Sequence, residues 1–135
     1  MRFFFYGTLI DADVRRGVLG LQAPRRVEPA LLSGWRRVPV RGKTYPVIVA
    51  DTRASVDGVL ARGLNAAARR KLERYEDPDL YALAELEVLL AGRARPVPAL
   101  VFVATAAGAG RERGRWDLET CQRRHKRRFL RSLAD

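Results

Sequence analysis

Between residues 26 and 62 short apolar runs are separated by turn residues, and this stretch most narrows the folds open to the chain. Ala30-Leu31-Leu32 leads into Ser33-Gly34, which reads as a turn. Residues 35–40 form the next run, and Arg41-Gly42-Lys43 is a second turn signal. Tyr45-Pro46-Val47-Ile48-Val49-Ala50 reads as a strand whose proline favours an edge or entry position. Residues 55–60 read as a further strand, broken by Gly58. Strands that follow each other this closely favour an antiparallel or mixed sheet closing on itself over a doubly wound α/β sheet.

The flanking segments add helices and three more strands. Residues 2–6 are an apolar and aromatic run that ends at Gly7, expected to be a buried strand. Residues 11–19 read as a short helix with Asp11 as its cap, Val14 and Val18 on one face, and Gly20 ending it. Residues 65–75 form the clearest helix of the first half. Asn65 is its expected cap, Ala68, Leu72 and Tyr75 share a face, and Pro78 prevents continuation. Tyr81, Leu83, Glu85 and Glu87 open an alternating stretch that runs to Leu90, and Gly92 makes the next turn. Residues 97–103 are strongly apolar and expected to form a central strand. Residues 104–115 are rich in Ala and Gly and read as a connector. Residues 116–133 carry Leu118, Cys121, His125, Phe129 and Leu133 at helical spacing, an amphipathic C-terminal helix. The expected organisation is one domain over residues 1–135: a β-rich core at 1–103, the connector, and a basic helix at 116–135.

Composition excludes several classes. A chain of 135 residues, 47% of them apolar, can bury a core without metal or disulfide. Its one cysteine, Cys121, allows no internal disulfide. There is no run of about 18 apolar residues, and the apolar start is too short for a secretion signal. A soluble, cytoplasmic protein with no membrane association is expected. One histidine and one cysteine cannot supply a zinc cluster. Cys121 and His125 lie at i, i+4, which suits a nucleophile and base. They also lie on an apolar stripe, where cysteine is usually a small buried hydrophobe. No Gly-x-Ser-x-Gly, phosphate loop or Gly-x-Gly-x-x-Gly occurs.

The net charge is +11, carried almost wholly by arginine; Lys43, Lys71 and Lys126 are the only lysines. Arginine suits phosphate and carboxylate. A nucleic-acid partner for Arg123-Arg124-His125-Lys126-Arg127-Arg128 is one reading, and an arginine-rich solvated surface is the simpler one.

Two features remain that carry chemistry. Phe5-Tyr6-Gly7-Thr8-Leu9 places a glycine where a strand ends, and the amides of Thr8 and Leu9 can then face a cavity. Such amides hold carboxylates and oxyanions; an ordinary strand-to-helix turn has the same spacing. Glu76, Asp77 and Asp79 crowd the end of the 65–75 helix. Carboxylate crowding at the negative end of a helix dipole is expected to raise a carboxyl pKa, as a general base requires. Plain turn chemistry at Asp77-Pro78-Asp79 is the competing reading.

Tyr6-Gly7-Thr8-Leu9, followed by Leu72-x-x-Tyr75-Glu76-x-x-x-x-Tyr81, with Tyr45-Pro46 and Val56-x-Gly58 between them, resembles the γ-glutamylcyclotransferase-like superfamily, in its AIG2-like branch. The resemblance covers residues 2–103. It implies an α+β fold, a small mixed β-barrel with flanking helices, and release of 5-oxoproline from γ-glutamyl amines or peptides. Carried over residue by residue, Tyr6, Gly7, Thr8 and Leu9 bind the γ-glutamyl group and Glu76 is the acid/base. Tyr81 and Tyr45 are further candidates for substrate contact. No metal, cofactor or covalent intermediate is implied. Asp77 is the weaker choice of base, and Glu73 is expected in solvent. Two alternatives stay open: a binding module using the same pocket without turnover, and nucleic-acid binding by the basic C-terminal helix.

Overall fold

A computed structural model describes residues 1–40 and 45–106. Five strands form a closed barrel: β1 (Phe3–Phe5), β2 (Val27–Pro39), β3 (Pro46–Ala61), β4 (Tyr81–Leu90) and β5 (Val97–Ala104). Their order around the barrel is β1-β3-β2-β4-β5. All neighbours are antiparallel except β5 and β1, which pair in parallel at Phe3 and Leu100, so the barrel is mixed. The Leu100 amide donates to the Arg2 carbonyl at 2.9 Å across that seam. Two helices flank the barrel, α1 (Ala12–Leu19) and α2 (Ala66–Tyr75). The expected turn at residues 41–43, most of the connector and the C-terminal helix lie outside the described residues.

One face of the sheet fills the barrel and the other is covered in part by the helices, and strand alternation sorts the side chains between them. One cluster takes alternate residues from all five strands, among them Phe4, Leu32, Ile48, Leu60, Val88 and Val101. It fills the barrel. The other takes the opposite faces, including Phe3, Phe5, Val47 and Phe102, and adds Val14 and Leu19 from α1 and Leu72 from α2. In β4 the odd residues Tyr81 and Leu83 face the helices, and the even residues Leu86, Val88 and Leu90 face inward.

Three features differ from the sequence reading. Ser33-Gly34 is not a turn. β2 runs straight through it, with a register shift between Ser33 and Trp35 and Gly34 at φ +87°. The shift reverses the alternation. Leu32 and Trp35 both belong to the barrel interior, and Val38 then joins the helix side. Likewise residues 45–50 and 55–60 are one strand, β3, because residues 51–54 stand opposite Gly34 in that irregularity. Gly58 does not break β3. A Cβ there would lie 2.3 Å from the Phe5 carbonyl oxygen and 2.8 Å from the Phe4 ring, so glycine lets β1 and β3 approach.

The helix ends follow the expected chemistry. Asp11 Oδ1 accepts from the amides of Asp13 (2.8 Å) and Val14 (3.3 Å). Asn65 Oδ1 accepts from Ala68 N at 2.9 Å. Lys71 Nζ reaches the Leu19 carbonyl at 3.1 Å, joining α2 to the end of α1. With Ala68 and Leu72 buried, the rotation of α2 is fixed. That in turn fixes where its last residues point.

Candidate active site

β1 ends at Phe5, and Tyr6-Gly7 leads into a single 3-10 turn, Thr8–Ile10. Ile10 N donates to Gly7 O at 3.0 Å and Asp11 N to Thr8 O at 3.1 Å. The first N–H groups of such a turn, those of Thr8 and Leu9, have no acceptor within it. Gly7 has φ −122°, outside the left-handed region. It is needed for close approach: a Cβ would lie 2.9 Å from Pro46 Cδ.

On the other side, α2 stops at Tyr75. Glu76 still donates its amide to Leu72 O at 2.9 Å but is itself extended, at φ −81° and ψ 133°. The chain thus leaves the helix at Glu76 and turns its side chain toward the glycine loop. Asp77 and Asp79 form the turn that follows, with Asp79 N donating to Asp77 Oδ1 at 2.9 Å and Tyr81 N to Asp77 O at 2.9 Å. Glu73 pairs with Arg69 at 2.7 Å on the exposed face.

These pieces converge. Tyr6, Gly7, Thr8, Leu9, Tyr45, Pro46, Glu76, Tyr81 and Phe102 line one pocket, with Phe4 and Phe5 behind them. All seven residues singled out in the sequence therefore meet. The cavity volume is small, about 20 Å³. Leu9 is only 3% exposed and packs in the helix-side core; its carbonyl takes Arg15 Nη1 at 2.9 Å.

Electrostatics single out Glu76. Its carboxyl is pushed up to about 8, and burial is the cause. This corrects the sequence reading, which assigned the shift to carboxylate crowding and the helix end. Asp77 and Asp79 are occupied in their own turn, and Glu76 lines the pocket among aromatic side chains. Burial also raises the Tyr6, Tyr45 and Tyr81 phenols, and the Glu76 carboxylate raises them further.

Most of these phenols are anchored away from the carboxyl. Tyr6 donates its hydroxyl to the Phe102 carbonyl, and Tyr81 donates to the Pro46 carbonyl. Tyr81 packs edge-on to Phe102 at 6.4 Å and against Tyr45 at 6.0 Å. Tyr75 Oη and Thr8 Oγ1 are hydrogen-bonded at 2.7 Å. Sequence reasoning placed Tyr75 only on the buried face of α2 and passed over Phe102. The available signal was composition. The chain has four tyrosines, and a buried tyrosine needs a partner for its hydroxyl; all four stand in or beside this pocket. Among the described residues no group of three His, Cys, Asp or Glu could hold a metal ion. No helix there is long and apolar enough to cross a membrane.

Residues 3–118 match the family profile described as gamma-glutamyl cyclotransferase, AIG2-like. The chain belongs to this family. Among curated relatives, AIG2-like protein C of Arabidopsis thaliana is 28% identical over 94% of this chain and 72% of its own length. Protein AIG2 C of the same plant is 27% identical over 94% and 75%. The barrel is the AIG2-like fold in three dimensions. A solution structure from Arabidopsis thaliana superposes with a TM-score of 0.72 at 22% identity, over 97% of this chain and 86% of that one. A solved gamma-glutamyl cyclotransferase superposes with a TM-score of 0.62 at 16% identity, over 78% and 66%.

Proposed function

We propose that this AIG2-like protein is a γ-glutamyl cyclotransferase, converting a γ-glutamyl amide into 5-oxoproline and a free amine. The observation that carries the reading is the Glu76 carboxyl, buried beside the glycine loop and poised near pH 8. Family membership supports the reaction class.

The reaction asks little of the protein because the substrate holds its own nucleophile. Its α-ammonium gives a proton to the Glu76 carboxylate. The freed amine attacks the γ-carbonyl and closes a five-membered ring, a step favoured by proximity. The carbonyl oxygen becomes an oxyanion, and the Thr8 and Leu9 amides of the pocket-lining loop are the donors assigned to it. As the C–N bond breaks, Glu76 returns the proton to the departing nitrogen, and its regenerated carboxylate takes the second proton of the attacking nitrogen, which leaves with the released amine as an ammonium. A carboxyl poised near 8 suits both transfers: it takes a proton from an ammonium and gives it back without a large mismatch in either direction. Tyr6, Tyr81 and Tyr45 supply the walls that keep water away from it.

The test is release of 5-oxoproline from a panel of γ-glutamyl amides by the wild-type chain and by Glu76→Gln. Turnover by the wild type and none by the variant, with both folded, is expected. Turnover that persists in Glu76→Gln removes Glu76 from its role. A stable complex with a γ-glutamyl amide and no turnover by the wild type would favour a binding module instead.

A further inference from the structure

The pocket as it stands is smaller than the group proposed to bind there. Its volume of about 20 Å³ holds roughly one water molecule, and a γ-glutamyl group is a whole amino-acid residue. One wall has to move. The walls are held very unequally. Tyr6 is hydrogen-bonded to the Phe102 carbonyl and Tyr81 to the Pro46 carbonyl. Thr8 is tied to Tyr75 at 2.7 Å, and Gly7 lies against the Pro46 ring. Phe4, Phe5 and Leu9 are packed in the two cores.

Tyr45 stands apart. It is half-buried, and its hydroxyl has no hydrogen-bond partner among the described residues. Its ring packs against the helix-side core and leans on Tyr81 at a centroid distance of 6.0 Å and a tilt of 42°. Swinging Tyr45 gives up ring packing but no hydrogen bond. Swinging Tyr6 or Tyr81 would also strand a buried carbonyl oxygen, which is the larger loss.

We propose that the Tyr45 side chain is the movable wall of this pocket: its ring swings aside to admit the substrate and, on returning, sets the size of leaving amine that the closed site accepts. The inference rests on the cyclotransferase reading of the site. A rotamer change of one half-exposed aromatic residue is fast compared with ordinary turnover. The returned ring restores the exclusion of water on which the buried carboxyl depends.

The test begins with a readout that needs no turnover. A water-soluble carbodiimide with a glycine ester labels carboxyl groups that the reagent reaches, and mass spectrometry reads each site. Glu76 is expected to label at least about tenfold faster in Tyr45→Ala than in the wild type, because an open variant no longer waits for a minor open state. Tyr45→Phe should label like the wild type, since the ring is the wall, and exposed Glu73 and Glu87 should label alike in all three. Equal labelling of Glu76 in the wild type and Tyr45→Ala overturns the proposal. So does Tyr45→Phe labelling like Tyr45→Ala. The second arm compares kcat/KM for γ-glutamyl amides of a small and a bulky amine. Tyr45→Ala should shift the ratio about tenfold toward the bulky one, and an unchanged ratio overturns the selectivity. If Glu76 is unmasked in Tyr45→Ala but no chain releases 5-oxoproline, the movable wall is upheld and the cyclotransferase reading fails.

Discussion

The barrel interior and the pocket beside it are built by opposite rules. Inside, Phe4, Leu32, Ile48, Leu60, Val88 and Val101 form a hydrocarbon core. At the pocket, the segments that follow β1 and α2 and the starts of β3 and β4 bring phenols, a hydroxyl and a carboxyl together. The hydroxyls of Tyr6, Tyr81 and Thr8 are each hydrogen-bonded. Glu76 differs from them, because burial holds its carboxyl near 8. The interior stabilises the fold, whereas the pocket keeps one group in a state that costs stability. Such a cost is characteristic of functional sites.

The comparison can be broken at either region. The largest effect is expected for Glu76→Gln on turnover, a loss of about 10³-fold in kcat, typical of removing a general acid/base; 5-oxoproline release measures it. In the interior, Leu60→Ala should destabilise the fold by about 4 kcal/mol, read by chemical denaturation. Leu60 is fully buried in the barrel, and no pocket chemistry depends on its identity.

Glu76→Gln should also separate the regions through pH. The folded carboxyl titrates near 8, above its ordinary 4.5. Between these values the unfolded chain has lost the proton and the folded one keeps it, so stability falls as pH rises through this window. Above the folded value the penalty is complete. Glu76→Gln should therefore be more stable than the wild type by up to about 5 kcal/mol at pH 9, and the advantage should vanish near pH 4. Paired denaturation curves at the two pH values test this. The smallest effect is expected for Tyr75→Phe, which removes the Thr8 hydrogen bond and should cost about 1 kcal/mol, with KM changing more than the pH profile.

Much of the barrel was legible in the sequence. Alternation in residues 81–90, the caps Asp11 and Asn65, and the strand ending at Gly7 depend on near neighbours, and near neighbours suffice to read them. What was misread depends on a partner strand. Ser33-Gly34 has turn composition, and only pairing with β3 makes it a bulge. Gly58 resembles a strand breaker until the Phe5 carbonyl lies against it. At the pocket, the ordered motifs brought Glu76 and the Tyr6–Leu9 loop forward, and the geometry brings them together. The cause of the Glu76 shift was hidden, because desolvation comes from residues far away in the chain. Tyr6, Tyr45 and Phe102 are distant from Glu76 in sequence, and the Phe102 and Pro46 carbonyls leave no mark in a residue pattern.

The most direct test of the account is the pH dependence of kcat/KM for 5-oxoproline release by the wild type, with Glu76→Gln as reference. The account predicts a rate that rises through about pH 8 as Glu76 loses its proton, and no such limb in the variant. A rise centred in the ordinary carboxylate range, or the same limb surviving in Glu76→Gln, would contradict it.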